Sequence, residues 1–179
     1  MKGVATTMNY HIIFANTFGD AAIIHRENPF SLLKVLLPCA DRASLLQSAE
    51  REEWGKAASH PNVTVTAIAE SLADYFRGRP LRIPWEWMDM RSLTELQQSV
   101  LRAVADIPYG SVSAYKDVAA AIGCPRASRF VGTTVAKNPF PILIPCHRVV
   151  RSDGSIGQFG GGTEMKRRLI ELEAENAPA

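Results

Sequence analysis

The chain of 179 residues lacks most features that mark membrane or secreted proteins. No apolar run approaches the ~20 residues that a membrane-spanning helix needs. The N-terminus, Met1–Ala5, lacks the apolar stretch and the cleavage site of a secretory signal peptide. Only three cysteines occur, Cys39, Cys124 and Cys146, and this odd number at wide spacing excludes a disulfide framework. We therefore expect no membrane association and a reducing compartment, which is the cytoplasm or, in a eukaryote, the nucleus.

The spacing of a metal site is also absent. No C-x2-C pair occurs, and the four histidines stand apart from one another. We expect neither a bound metal nor another cofactor.

A strong excess of either charge is missing as well. The 20 basic and 18 acidic side chains leave a net charge of +2, and 46% of the residues are hydrophobic, which excludes a disordered chain. The balance is uneven, because residues 1–91 are neutral while residues 102–151 hold seven basic and two acidic side chains. This local charge of +5 indicates either a binding surface for a polyanion or a solvated face with clustered charges.

The first part of the chain predicts a small mixed domain. Three apolar segments separated by turn residues indicate an antiparallel meander, with strands at Tyr10–Phe14, Ala21–His25 and Leu32–Leu37. Helices are expected over residues 43–54 and 66–77. Because prolines interrupt residues 79–91, we predict a linker there, between a first domain at 1–78 and a second at 92–179.

The second part is predicted to be mainly helical. The segment Ser92-Leu93-Thr94-Glu95 has the pattern of a capping box, with Ser92 as the cap of a helix. Two short helices follow, Ser113–Ala121 and Arg126–Ala136, and a break at residues 123–125 separates them. This is the plan of a helix-turn-helix. The predicted fold class is α+β, with a small antiparallel-sheet domain before a mainly helical domain that carries the helix-turn-helix.

The second helix of this pair has an unusual composition for reading DNA. Ala127, Ser128 and Gly132 are small, and only Arg126 and Arg129 are long enough to reach bases or phosphates. A major-groove reader normally carries several polar side chains for base edges, so minor-groove binding fits better. Two core helices with a basic rim remain an alternative at this point.

The densest signal is the segment that leads into Cys146, His147 and Arg148. Three prolines at positions 139, 141 and 145 stiffen the approach to the cysteine. A thiol becomes a nucleophile as thiolate, which a nearby histidine or cation favours. Adjacent side chains on an extended strand point to opposite faces, so either the backbone turns sharply at Cys146 or a water relays the proton. The alternative that Cys146 is an unreactive core residue remains open at this point. We expect Cys39 and Cys124 to be unreactive and structural.

Several segments of the second half together match a known family. The segment Asn-Pro-Phe-Pro-Ile-Leu-Ile-Pro-Cys-His-Arg-Val-Val at residues 138–150 resembles the active-site motif of the methylated-DNA–protein-cysteine methyltransferases, which are O6-alkylguanine-DNA alkyltransferases. The resemblance includes residues 107–115, 129–132, 154–162 and 166–173, and it covers about residues 93–173. The N-terminal half matches only in outline, as the small ribonuclease H-like domain of such proteins.

The resemblance implies a direct reversal of DNA damage. Cys146 would take the alkyl group from O6 of guanine in a single, irreversible turnover. His147 would accept the thiol proton through water, and Glu173 would orient that ring. Asn138 would hold the turn between recognition helix and active site, and Tyr115 would rotate the nucleotide and offer its hydroxyl to the base.

The implied partner is double-stranded DNA with O6-alkylguanine, bound through its minor groove by a monomer. The lesion must be flipped out of the duplex, and Arg129 would fill the gap in the stack. The remaining DNA-binding residues implied are Arg126, Ala127, Ser128 and Lys137, with Tyr115. The implied substrate pocket consists of Val135, Pro141, Ile156, Gly157, Gln158, Phe159 and Gly160.

This chain departs from the family pattern at two pocket positions. Phe159 stands where many members have a tyrosine, and Gly160 replaces a polar residue. We expect a wider pocket that accepts bulkier O6-alkyl or benzyl groups. Some members hold a structural zinc in the N-terminal domain, but no convincing Cys/His cluster is present for one here.

Three other functions are weighed against alkyl transfer. A non-catalytic sensor of alkylated DNA with the same fold would replace the reactive cysteine, usually by tryptophan, whereas Cys146 is present. A helix-turn-helix regulator with a reactive cysteine would normally dimerise, and no extended dimerisation helix is visible. A cysteine hydrolase would turn over repeatedly and would not need the basic stretch at 102–151.

Overall fold

A four-stranded sheet forms the first part of the computed structural model, which describes residues 8–39, 41–51 and 54–178. Strands β1 (Asn9–Asn16), β2 (Gly19–Arg26) and β3 (Ser31–Cys39) pair in antiparallel order, which confirms the predicted meander. The middle of β2 is buried on both faces, so its apolar run lacks the alternation of a half-exposed strand.

A short strand that was not predicted completes this sheet. Helix α1 (Arg42–Arg51) leads to β4 (Lys56–Ala57), which lies parallel to β1 and gives the order β3-β2-β1-β4. Both residues of β4 are exposed, so no apolar pattern marks the strand. The helix predicted over 43–54 is found to Arg51; residues 52 and 53 lie outside the described residues, and Trp54 is not helical.

Helix α2 (Val63–Tyr75) packs its apolar face against the sheet side that looks toward the second half. The side chain of Asn62 caps it by accepting a hydrogen bond from the Val65 backbone at 3.0 Å. The helix begins three residues before the predicted start because this cap lies upstream of the periodic residues. Residues 79–91 contain a 3-10 turn at Trp85–Trp87.

The second half is mainly helical, as predicted, and begins with α3 (Glu95–Ala105). The predicted cap is wrong, because Thr94 and Gln97 form the capping box and Ser92 does not. The Thr94 side chain accepts from the Gln97 backbone at 3.3 Å, while the Gln97 side chain accepts from the Thr94 backbone at 2.9 Å. The half-buried Leu93 packs on the core before the helix begins, so the chain turns into the helix only after it.

The two short helices are present, with later starts than predicted. Helix α4 (Tyr115–Ala121) begins after Ala114, its N-cap residue, because Ser113 lies with Ala114 in strand β5 and does not cap the helix. Helix α5 (Ser128–Ala136) begins after Arg126, which lies with Pro125 in the connecting turn. Gly123 in that turn has a φ of +73°, a conformation that favours glycine.

A parallel strand pair and a terminal helix complete the second half. Strand β6 (Val149–Val150) pairs with β5, Ser113 opposite Val149. Helix α6 (Gly162–Asn176) buries Lys166, Leu169 and Glu173 on one face. One apolar core includes buried residues from the sheet, α2, α3, α5 and α6. Among the described residues, no helix has the length and apolar character to span a membrane.

The position of the α3 cap generates a stability prediction. Thr94→Ala removes one partner of the capping box and should lower the free energy of unfolding by about 1 kcal/mol, measured by urea denaturation. Ser92→Ala is the matched control and should leave it unchanged, because Ser92 lies outside the box. A larger loss from Ser92→Ala than from Thr94→Ala would contradict the assignment.

Candidate active site

Cys146 lies in a sharp turn of the backbone, which was one of the two predicted arrangements. Residues Cys146–Arg148 form a 3-10 turn that runs directly into β6. Because β6 pairs with β5, the turn is held beside Tyr115, the first residue of α4. The cysteine is buried, with 5% of its surface exposed.

The loop before this turn is held by Asn138, which was predicted to hold it. The Asn138 amide donates to the carbonyl oxygen of Ile144 at 2.9 Å and accepts from the Phe140 backbone at 3.0 Å. Ile142 in this loop has a φ of +72°, an unfavourable conformation for a β-branched residue. The loop is also bound to the sheet, since the Val35 backbone donates to the Pro139 carbonyl at 2.8 Å.

The environment of the Cys146 thiol contains opposing influences. Burial raises the pKa of Cys146, whereas a hydrogen bond from Asn138 and the charge of Lys166 act to lower it. Lys166 is 1% exposed, and its Nζ donates to the Val149 carbonyl at 2.6 Å. Burial lowers the pKa of Lys166, while the proximity of Cys146 raises it. Sequence reasoning did not select Lys166 as a site residue.

The carboxylate of Glu173 accepts hydrogen bonds from several segments of the chain. Its Oε1 lies 2.8 Å from Nε2 of His147 and 2.9 Å from Nη2 of Arg148. Its Oε2 accepts from Nε of Arg148 at 2.8 Å and from the Gly110 backbone at 3.1 Å. Burial raises the pKa of Glu173, but the hydrogen bonds from His147 and Arg148 outweigh burial and hold it at about 2. The predicted pairing of His147 and Glu173 is therefore present in the structure.

The two ring nitrogens of His147 have different surroundings. Nε2 contacts Glu173, whereas Nδ1 is buried and has no hydrogen-bond partner among the described residues. Burial lowers the pKa of His147, and the interaction with Glu173 opposes this effect. A neutral ring with a proton on Nε2 leaves Nδ1 free to accept one.

Tyr75 of helix α2 reaches this cluster from the N-terminal half, which sequence reasoning missed. Its hydroxyl donates to Oε1 of Glu173 at 2.5 Å and lies 3.0 Å from Nε2 of His147. The residue is fully buried. In the sequence, Tyr75 is one apolar position of an amphipathic helix, so no local pattern distinguishes it from core.

Tyr115 also lines an open cleft of about 650 Å³. Six predicted site residues line it: Tyr115, Ser128, Arg129, Lys137, Gly157 and Gln158. The Tyr115 ring lies between two glycines, because a Cβ on Gly157 would meet its hydroxyl at 2.6 Å and one on Gly132 would lie 3.7 Å from the ring. Gly157 therefore lets the tyrosine occupy this position.

The other predicted DNA-binding and pocket residues do not line this cleft. Val135 and Pro141 are buried, Ile156, Phe159 and Ala127 are half-buried, and Arg126 and Gly160 are exposed. The Phe159 ring meets the His147 ring edge-on, with centroids 6.4 Å apart. A Cβ on Gly160 would lie 3.6 Å from Leu37 of β3, so the sheet borders this part of the chain.

Six of the seven basic side chains at residues 102–151 are exposed, and only Arg148 is buried. Arg129, Lys137 and Arg151 line the cleft. Arg148 is buried and paired with Glu173, and Arg102 lies over the Trp85 ring at 4.9 Å. No group of three His, Cys, Asp or Glu side chains suited to a metal ion occurs in the part of the chain that the structure describes.

Comparisons with known proteins find the same likeness in sequence and in structure. Residues 95–175 match the family model described as 6-O-methylguanine DNA methyltransferase, DNA binding domain. A methylated-DNA–protein-cysteine methyltransferase of Mycobacterium bovis is 42% identical over 114 residues, which cover 64% of this chain and 68% of the relative. One from Methanothermobacter thermautotrophicus is 39% identical over 116 residues, which cover 64% of each chain.

Solved structures agree over nearly the whole chain. The O6-methylguanine methyltransferase of Mycobacterium tuberculosis has a TM-score of 0.72 and 30% identity, with 96% of each chain covered. The same organism's protein in complex with DNA has a TM-score of 0.71 and 30% identity, covering 95% of this chain and 96% of that one.

These likenesses assign the protein to a class of cysteine-dependent group-transfer proteins with an α+β fold. The sequence identity and its coverage define the class more narrowly. The chain belongs to the family of methylated-DNA–protein-cysteine methyltransferases.

The buried carboxylate of Glu173 generates a pH prediction. Its pKa lies near 2 in the folded protein, below the ordinary value of 4.5, so the stability that it contributes is complete above about pH 4.5 and is lost as the pH falls toward 2. Glu173→Gln should lower the free energy of unfolding at neutral pH by about 3 kcal/mol, because Arg148 loses its buried counter-charge.

The measurement is urea denaturation at a series of pH values from 7 to 2. Glu173→Gln should show a weaker fall in stability over the acid range than the unchanged protein. Glu171→Gln, on the exposed side of the same helix, is the control and should behave like the unchanged protein. Equal acid sensitivity of all three proteins would contradict the role of Glu173.

Proposed function

We propose that the protein repairs alkylated DNA by moving the alkyl group from O6 of guanine to Cys146. The observation that carries this function is the arrangement at the thiol. The buried Cys146 lies near Lys166, and the adjoining His147 has an Nδ1 that makes no hydrogen bond to any residue that the structure describes. Family membership gives the substrate class, since relatives are named for methylated DNA and for a cysteine acceptor.

The proposed reaction is one displacement with a balanced proton transfer. A bond forms between Sγ of Cys146 and the alkyl carbon while the bond from that carbon to guanine O6 breaks. Nδ1 of His147 accepts the thiol proton through a water, and a proton returns to the purine, so the products are guanine and a thioether. Because a thiolate is a poor leaving group from a thioether, the new S–C bond is not broken again, and each protein molecule acts once.

We assign roles to the neighbouring side chains on the same basis. Glu173 holds the imidazole and balances its charge after proton uptake. Asn138 and Lys166 stabilise the thiolate, and the Tyr115 hydroxyl, which lies at the cleft, donates to the flipped base. The glycine-containing segment 156–160 forms one wall of the pocket. That Phe159 and Gly160 allow bulkier O6-alkyl or benzyl groups to bind stays a prediction.

We further propose that α4 and α5 form a helix-turn-helix that binds the minor groove. Support comes from the small residues of α5 and from the exposed Arg129 and Lys137 at the cleft. Arg129 enters the base stack when the nucleotide leaves it. Arg126, Ala127 and Ser128, at the start of α5, contact the backbone of the duplex.

The architecture of the first half supports a ribonuclease H-like domain. Three antiparallel strands followed by a helix and a strand parallel to β1 give the order β3-β2-β1-β4. The division into domains at 1–78 and 92–179, the monomeric state and the cytoplasmic location stay predictions. The presence of Cys146 argues against the alternative function, in which the protein is a sensor that binds alkylated DNA without reacting.

A stoichiometric transfer experiment tests this function. The protein, incubated with duplex DNA that carries O6-methylguanine, should gain one methylene unit on the peptide containing Cys146, with one transfer per molecule. Cys146→Ser should bind the duplex and transfer nothing, as measured by mass spectrometry and by DNA binding. Absence of transfer by folded protein, or repeated turnover, would contradict the proposal.

The role of Arg129 predicts a difference between two substrates. Arg129→Ala should slow repair of the duplex about tenfold or more and should slow reaction with free O6-methylguanine much less, because the free base needs no flipping. Arg82→Ala is the control, since Arg82 is also exposed but lies outside the cleft. Equal losses on both substrates would refute the flipping role.

A further inference from the structure

We propose that Tyr75 is a positioning residue of the alkyl-transfer site, which holds His147 in the tautomer that leaves Nδ1 free for the thiol proton. This inference rests on the proposed function and deepens it. It assigns part of the reaction machinery to helix α2 of the N-terminal half, outside the segments that carry the family resemblance.

The direction of the Tyr75 hydrogen bond follows from charge. Glu173 is ionised, because its pKa is held at about 2, so its Oε1 can only accept a hydrogen bond. The Tyr75 hydroxyl lies 2.5 Å from this oxygen and therefore donates its proton to it. Burial and the neighbouring carboxylate raise the pKa of Tyr75, so the phenol stays protonated.

Because its own proton is directed to Glu173, the Tyr75 oxygen can offer only lone pairs to Nε2 of His147, which lies 3.0 Å away. The second neighbour of Nε2 is Oε1 of Glu173 at 2.8 Å, which is also an acceptor. A nitrogen between two acceptors must carry a proton, since a bare nitrogen would meet only lone pairs. The proton of the neutral ring is therefore on Nε2, and Nδ1 is the ring nitrogen with no hydrogen-bond partner within the described ranges.

The same geometry favours the charged ring that forms during the reaction. Proton uptake at Nδ1 leaves Nε2–H between its two acceptors, and the positive charge strengthens both contacts. Without the Tyr75 oxygen, the imidazolium loses one of these acceptors and the ring becomes a weaker base. The charged and titratable groups around the ring are Glu173 and Lys166 on α6, Arg148 and Cys146 in the turn, and Tyr75 on α2.

The phenol ring itself has a separate packing role. It meets the rings of Phe76, Tyr109 and His147 with centroids 5.6, 6.2 and 6.1 Å away. Phenylalanine keeps these contacts and removes only the hydroxyl. Tyr75→Phe therefore separates positioning from packing.

Tyr109→Phe provides a matched control in the same region. Tyr109 packs on Tyr75, but its hydroxyl donates to the Gly78 carbonyl at 3.0 Å and does not contact His147 or Glu173. Both variants lose one hydroxyl from the same aromatic group. Only Tyr75→Phe removes an acceptor from the imidazole.

The experiment measures methyl transfer from O6-methylguanine duplex under single-turnover conditions, together with DNA affinity. Tyr75→Phe should lower the transfer rate constant about tenfold, the loss expected for a hydrogen bond to a charged group, with unchanged affinity for DNA. Alkylation of Cys146 by iodoacetamide should shift to higher pH in this variant, because the weaker base raises the pKa of the thiol. Tyr109→Phe should shift neither measurement.

Two results would overturn the positioning role while leaving the proposed function intact. One is a Tyr75→Phe protein that transfers methyl groups at the unchanged rate, or whose alkylation profile coincides with that of Tyr109→Phe. The other needs no variant: nitrogen-15 chemical shifts of His147 in the unchanged protein at neutral pH that place the proton on Nδ1. By contrast, absence of transfer by the unchanged protein would refute the proposed function itself.

Discussion

A buried negative charge must be neutralised by hydrogen bonds, and the structure around Cys146 depends on how this is done at Glu173. The carboxylate accepts hydrogen bonds from Tyr75 of α2, from the backbone of Gly110, and from His147 and Arg148 of the turn at residues 146–148. Three segments that are distant in sequence thus meet at one side chain of α6. Removal of any donor leaves part of the charge uncompensated, so the position of the histidine is coupled to the packing of the whole molecule.

Much of this architecture was accessible from the sequence, because it follows from short periodic patterns. The meander, the amphipathic helices and the break at Gly123 are local features, and the motif from Asn138 to Val150 selected Cys146 as the candidate nucleophile. The starts of helices were harder to predict. Ser92 and Thr94 are both suitable N-cap residues for α3, and Ala114 belongs to a strand only because it pairs with Val150, which is distant in sequence. Both residues of strand β4 are exposed, so no apolar pattern in the sequence predicts the strand.

The residues that sequence reasoning missed share a physical reason. Tyr75 and Lys166 lie on helix faces whose spacing indicates burial, and burial alone does not say what a side chain touches. A signal was present on α6, where Lys166 and Glu173 fall two turns apart on the same face as Leu169. Because charged side chains are rarely fully buried without partners, an inward face with two of them indicates a site. For Tyr75 no such signal exists, since tyrosine is common in cores.

The first half of the chain touches the second at the backbone, where Val35 donates a hydrogen bond to the Pro139 carbonyl, and a side chain at Gly160 would come into contact with Leu37. The first half of the chain not only precedes the reactive half but also supports its active-site loop from the opposite side. Chimeras that join this second half to the sheet of a distant relative would have to reproduce both surfaces, together with a tyrosine at position 75. The two halves are therefore expected to diverge as a matched pair, with compensating changes across their contact.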